Sequence, residues 1–269
     1  MIMVKLGGSL ITDKNRPYAT RKEVIARLAG EVRQALDILP ALTLLLGHGS
    51  GSFGHWAAAP YGTRLGVHTD AQWRGYAEVS AAAAHLNRIV TDAFLEAGVP
   101  VLSLQPSASA RCRDGVLEYL DTQPVRAALS HGLVPLVYGD VAFDEVRGGT
   151  IISTEEIFIF LAHAFSKTNT GPRPHRILLL GEVDGVLDLD GRVIPHISPR
   201  DLPTLRTVLS GARGVDVTGG MLDKVTRMVE LVEQHPEIQA QILNGTTPGL
   251  LTRALIGEKV TGTCISGCP

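Results

Sequence analysis

The chain has 269 residues, 45% of them hydrophobic, with 25 Lys and Arg against 27 Asp and Glu. That length suits one large α/β unit or two lobes sharing a sheet, and the net charge of −2 argues against the basic surface of a general nucleic-acid binder. No apolar run has the length of a membrane span, and the three cysteines, Cys112, Cys264 and Cys268, lack zinc spacing and point to a reducing cytoplasm.

Residues 2–6 read directly as a first strand, without the layout of a signal peptide. Thr20 is expected to cap a helix over 21–38, where Val24, Ile25, Leu28, Val32 and Leu36 recur at helical spacing. Residues 42–46 form the next strand. Thr69 caps a long helix to about residue 97, with Gly98 as its C′ residue. A strand over 99–104, a helix from Asp121 or Thr122 to Gly132, and a strand over 133–137 follow. Gly148-Gly149 reads as a turn and Ser153 as the cap of a helix to about residue 165. The polar stretch 167–175, with Gly171, Pro172 and Pro174, separates an N-terminal lobe (1–170) from a C-terminal lobe (171–269). Beyond it come a strand over 177–180, a hairpin turn at Asp190-Gly191, a helix opened by Gly219-Gly220, and strands over 238–243 and 260–265. This alternation predicts a mostly parallel sheet covered on both faces, a three-layer α/β/α sandwich. In such sheets ligands bind beyond the carboxyl ends of the strands.

Two glycine turns fall at that edge. The run Gly47 to His55 follows an apolar strand and holds four glycines and two serines ahead of His55. Such a turn brings backbone N–H groups close to an anion, and a following helix adds its positive end. The second turn is Lys5-Leu6-Gly7-Gly8-Ser9, with Lys14 nearby. A lysine inside an apolar strand before Gly-Gly is unusual for a solvated position. Together the turns suit two phosphate groups facing each other. The chain has no Gly-x4-Gly-Lys-Ser/Thr P-loop. Gly49 to Gly54 fits G-x-G-x-x-G, but no acidic residue ends a second strand at the spacing a dinucleotide site requires. His48 reads as structural.

Five motifs carry a specific resemblance. They are Lys5 to Ser9 with Thr12-Asp13-Lys14, His48 to His55, Tyr138-Gly139-Asp140-Val141, Val183-Asp184-Gly185-Val186, and Asp216-Val217-Thr218-Gly219-Gly220-Met221 with Lys224. In this order they resemble the amino acid kinase superfamily and, within it, the isopentenyl phosphate kinases. The resemblance implies an ATP-dependent phosphotransferase with magnesium, acting on a small alkyl monophosphate. Lys5, Lys14 and Lys224 would surround the transferring group. Lys5, Gly7, Gly8, Ser9, Gly51, Asp184, Gly219 and Lys224 would hold ATP. Gly49, Ser50, Gly54, His55, Gly139 and Asp140 would hold the acceptor, with Tyr76, Val79 and Val141 around its tail. No protein-held metal is implied, and the partners are small molecules and a second copy in a homodimer. Asp184 is equally a turn former beside Gly185, and the Tyr76–Val79 face is equally ordinary core. Ser50 stands where many relatives have glycine, Ser153-Thr154-Glu155-Glu156 replaces Ser-Gly-Asp-Asp, and Gly181-Glu182 replaces Thr-Asp. Two rival readings remain: a kinase of the same fold acting on fosfomycin or another phosphonate, and a non-catalytic sensor of a phosphorylated ligand.

Overall fold

A computed structural model describes residues 1–168, 171–205 and 219–267. Asp216, Val217, Thr218 and Cys268 of the motifs above lie outside the described residues. The strands are β1 (Ile2–Leu6), β2 (Leu44–His48), β3 (Val101–Ser103), β4 (Arg111–Arg113), β5 (Val116–Tyr119), β6 (Val134–Tyr138), β7 (Asp140–Asp144), β8 (Gly148–Ile152), β9 (Arg176–Gly181), β10 (His196–Ile197), β11 (Gln239–Asn244) and β12 (Thr263–Ile265). Eight of them form one sheet in the order β10-β12-β11-β9-β1-β2-β6-β3. Within it only β11 and β12 pair antiparallel. The sheet is therefore mostly parallel, as the strand–helix alternation predicts, and β9 places the C-terminal half beside β1 in the same sheet.

Helices cover both faces, and the pleat decides which residue faces which layer. On β1, Ile2, Val4 and Leu6 join the core beneath α2 (Lys22–Ile38) and α4 (Asp70–Glu96), with Leu28, Val32, Leu86 and Val90. Met3 points the other way, into the core of α6 (Thr154–Ser166) and α7 (Gly219–Gln234), with Phe158, Leu161, Val225 and Met228. Lys5 is two residues from Met3 and shares that second face. This parity aims its ammonium at the start of α6.

Local signals place several helix ends. Thr69 caps α4 through a capping box with Gln72, and Gly98 follows with φ 79°. Ser153 caps α6 through the same motif with Glu156. Thr20 does not cap α2. Arg21 occupies that position without a side-chain cap, and Thr20 pairs instead with Thr12 in an isolated bridge that closes the loop bearing Lys14.

The second sheet, β5-β4-β7-β8, was not foreseen. Val141 lies in β7, and Gly148-Gly149, read above as a turn, opens β8 instead. Those glycines answer a close approach. A Cβ on Gly149 would stand 2.9 Å from the Tyr76 ring, and one on Gly148 would collide with the Val67 carbonyl.

Candidate active site

The two glycine turns meet at the carboxyl edge of the large sheet. Leu6 pairs in register with His48 and Leu180, and His48 with Tyr138, so β1, β2, β6 and β9 end together. Gly7 N–H donates to the Leu180 carbonyl at 2.8 Å, and Gly49 N–H to that of Leu6 at 3.0 Å. The turns then touch. A Cβ on Gly8 would lie 2.5 Å from the Gly51 nitrogen, and one on Gly49 would lie 2.9 Å from that of Gly8. Gly51 is left-handed, with φ 50°. Thr12 stitches the turns: its hydroxyl donates to the Gly8 carbonyl at 2.7 Å and accepts from Ser52 N–H at 2.9 Å. Beyond Gly7 comes the single turn α1 (Gly8–Ile11), with Ser9 inside it. Beyond Ser50 comes α3 (Gly51–Ala58), with Gly54 in its middle and His55 in its last turn.

Lys5 is only 8% exposed and forms an ion pair with Glu155. A charge so buried requires such a partner. Burial works to raise the Glu155 pKa, but the charge and hydrogen bond of Lys5, with the field of Lys224, leave it below its ordinary value. Lys224, half-buried on α7, thus acts on the same carboxylate from the far side of the sequence. Glu155, which the sequence reading named only as a departure from the pattern, is the partner of Lys5. The one available signal was an acidic pair at the first turn of a helix starting at the sheet's carboxyl edge.

Next to this centre lies a cleft of about 380 Å³. Ser50, Gly51, Gly54 and His55 form one end. Ala58, Val79, Ala83 and Ile151 supply apolar wall, Gly139 and Asp140 the floor, and Thr63, Arg64 and Leu65 the far side. The Ser50 hydroxyl leans over Gly54, where any Cβ would collide with it. His55 is exposed, at the turn end of the cleft. Tyr76 and Val141 do not line the cleft. Tyr76 packs on Trp73 and Phe143, with ring centroids 5.4 and 5.5 Å away. Thr63, Arg64 and Leu65, from the segment after α3, line the cleft in addition to the expected residues.

Two buried polar residues hold the floor. His48 is fully buried and stacks on Tyr138, rings 5.6 Å apart. Its Nδ1 lies 3.1 Å from the Gly49 carbonyl and its Nε2 3.2 Å from the Asn87 amide. Burial lowers its pKa to about 4 against the hydrogen bonds, with the Lys5 charge adding to the effect. The ring is neutral at pH 7 and structural. The His48 carbonyl accepts from Gly139 N–H at 3.2 Å and from the Thr154 hydroxyl at 2.6 Å, tying both turns to α6. Asp140 accepts from Val141 N–H at 2.8 Å, Ser107 N–H at 3.2 Å and the Ser80 hydroxyl at 3.3 Å. Burial raises its pKa, and those hydrogen bonds offset part of the effect.

The other expected residues lie around this core. Lys14 is exposed on the loop between Thr12 and Thr20. Asp184 is exposed after β9 and accepts from the Asn244 amide at 2.7 Å, at the end of β11. Glu182, the departure beside it, pairs with Arg21 at the start of α2. Gly219 begins α7.

Comparison with known proteins adds independent weight. The model of the amino acid kinase family matches residues 1–244. The chain belongs to the amino acid kinase family. An isopentenyl phosphate kinase of Methanothermobacter thermautotrophicus is 36% identical over 99% of both chains. The one of Methanocaldococcus jannaschii is 31% identical over 98% of this chain and 97% of its own. A crystal structure described as isopentenyl phosphate kinase is 31% identical, with a TM-score of 0.80 over 98% of this chain and all of that one. The large sheet carries helices and a core on each face, so the three-layer expectation holds.

Proposed function

We propose that this protein transfers the γ-phosphoryl group of ATP to isopentenyl phosphate, giving isopentenyl diphosphate and ADP. The observation that carries the reading is a cleft with apolar walls that opens onto two abutting glycine turns beside the Lys5–Glu155 pair. A small alkyl phosphate fits that polarity: its hydrocarbon meets Ala58, Val79, Ala83 and Ile151, and its phosphate meets the Gly49–Gly54 turn and His55. The N-terminal lobe, 1–170, takes this acceptor, and the C-terminal lobe, 171–269, takes ATP.

In the transfer, an acceptor phosphate oxygen attacks the γ-phosphorus and the bond to the β,γ-bridging oxygen breaks. Catalysis of such a step is mainly positioning and charge stabilisation. Gly8 and Ser9 face the donor phosphates with backbone N–H groups, in a turn that Gly7 fixes by donating its own N–H to the Leu180 carbonyl. Lys5 and Lys224 share Glu155, which holds the two ammonium groups close without letting them repel each other apart. Lys14 adds charge from its loop. No general base is needed, because a phosphate monoester is already largely ionised near neutral pH (second pKa about 6). His55 donates a hydrogen bond to the acceptor phosphate. Asp184 and Gly219 border the nucleotide.

Magnesium enters with ATP and neutralises phosphate charge when bound. Among the described residues no group of three His, Cys, Asp or Glu is placed to hold a metal. A homodimer fits the exposed Trp73 and Phe143, whose rings lie 6.0 Å apart on one face. Among the described residues no helix is long and apolar enough to cross a membrane.

A coupled ADP-release assay with isopentenyl phosphate, fosfomycin and no acceptor tests the reading. Turnover should require isopentenyl phosphate. Turnover with fosfomycin alone, or ligand binding without any ADP release, would replace it.

A further inference from the structure

Beside the Lys5–Glu155 pair, the next residue of α6 makes a second junction. Glu156 holds its own N-cap: its Oε2 accepts from Ser153 N–H at 2.6 Å. Its Oε1 faces two guanidinium groups. Arg227 Nη1 lies 3.2 Å away and Arg64 Nη2 lies 3.7 Å away. Arg64 lines the acceptor cleft, and its carbonyl accepts from the Thr150 hydroxyl at 3.2 Å on β8. Arg227 does not line the cleft. It sits on α7, three residues after Lys224 and on the same helix face, and is steadied by Asp223 at 2.9 Å.

We propose that Glu156 is a positioning residue that joins the acceptor cleft to the lysine-bearing helix through Arg64 and Arg227. The inference rests on the two-substrate reading above and deepens it. Glu156 is 14% exposed on its side chain and Arg227 29%, so their attraction is less screened than a surface pair. Arg64, 55% exposed, can respond to an anionic acceptor at the cleft. An acceptor that draws on Arg64 changes the load on Glu156, and Arg227 carries that change to the helix holding Lys224. The same tie runs in reverse, so a change at Arg227 alters how firmly Arg64 is held at the cleft. Glu155 and Glu156 thus divide the work: one holds the lysines, the other holds the two sides of the site in register.

The test measures isopentenyl phosphate affinity by calorimetry for the wild type, Arg227→Ala, Glu156→Gln and the combination, with thermal melting as a folding control. Glu156→Gln keeps the capping hydrogen bond through its amide oxygen and replaces the charged oxygen facing the guanidinium groups by an NH2 group. Arg227→Ala and Glu156→Gln should each weaken acceptor binding about two- to tenfold, the scale of a partly exposed ion pair. Together they should weaken it no further, because both break one linkage. Arg227→Lys should recover most of the affinity, since a single charged contact is what the geometry asks for. Unchanged acceptor affinity in Arg227→Ala, or an equal loss on adding it to Glu156→Gln, overturns the linkage. Wild type that fails to bind isopentenyl phosphate overturns the functional reading itself and the linkage with it.

Discussion

Acid should loosen the floor of the site through one residue, His48. In the folded chain its pKa lies at about 4, against an ordinary 6.5, because burial disfavours the imidazolium. The depressed value sets the sign. Between pH 6.5 and 4 the unfolded chain takes up the proton that the folded chain refuses. The stabilisation is therefore complete above pH 6.5 and is lost as pH falls toward 4. At about 1.4 kcal/mol per pH step, the loss reaches about 3 kcal/mol by pH 4. Comparison with His48→Gln separates this term from the other acid titrations. The assay is urea unfolding of both proteins at pH 7, 5.5 and 4. The advantage of the wild type over the variant should shrink by about 3 kcal/mol across that range. A constant gap would show that the His48 ring does not stay neutral against Gly49 and Asn87, and would refute the argument. Because the His48 carbonyl anchors Gly139 and Thr154, acceptor affinity should weaken over the same window.

Four further substitutions test the site. His55→Ala should lower kcat/KM for isopentenyl phosphate by roughly tenfold to a thousandfold, the scale of one charge-assisted contact, with a smaller change in the ATP KM; steady-state kinetics in each substrate checks this. Lys14→Ala should cut kcat more than it weakens either substrate's binding, since its charge acts on the transition state; a rise in KM alone would deny that role. Val79 lines the cleft and Tyr76 does not. Val79→Ala should therefore raise the geranyl-to-isopentenyl phosphate ratio of kcat/KM, by about fourfold for each CH₂ gained at about 0.8 kcal/mol. Tyr76→Ala should leave that ratio flat and cost about 3 kcal/mol of stability, read by urea unfolding, by stripping the ring from Trp73, Phe143 and Gly149.

Features governed by local geometry were legible in the sequence. The Gly47–His55 and Lys5–Ser9 turns could be read because glycine close to a neighbouring backbone leaves its mark residue by residue. Thr69 and Ser153 announced their helices, because a cap needs only its own first turn. The mostly parallel sheet followed from wholly apolar strands, and that alternation placed both turns at its carboxyl edge. What the sequence left open depended on partners far along the chain. Lys5 meets Glu155 across 150 positions, and only the parity of β1 against the start of α6 decides it. The short strands β4, β5, β7 and β8 carry little periodicity of their own and form because each supplies the other's hydrogen bonds. The Tyr76 ring packs instead against Gly149 in β8, which has no Cβ to exclude it. The far wall of the cleft, Thr63 to Leu65, has no pattern at all in the sequence. It exists because the chain after α3 must cross above β8 to reach the start of α4, and packing, which is blind to sequence distance, fixes where it crosses.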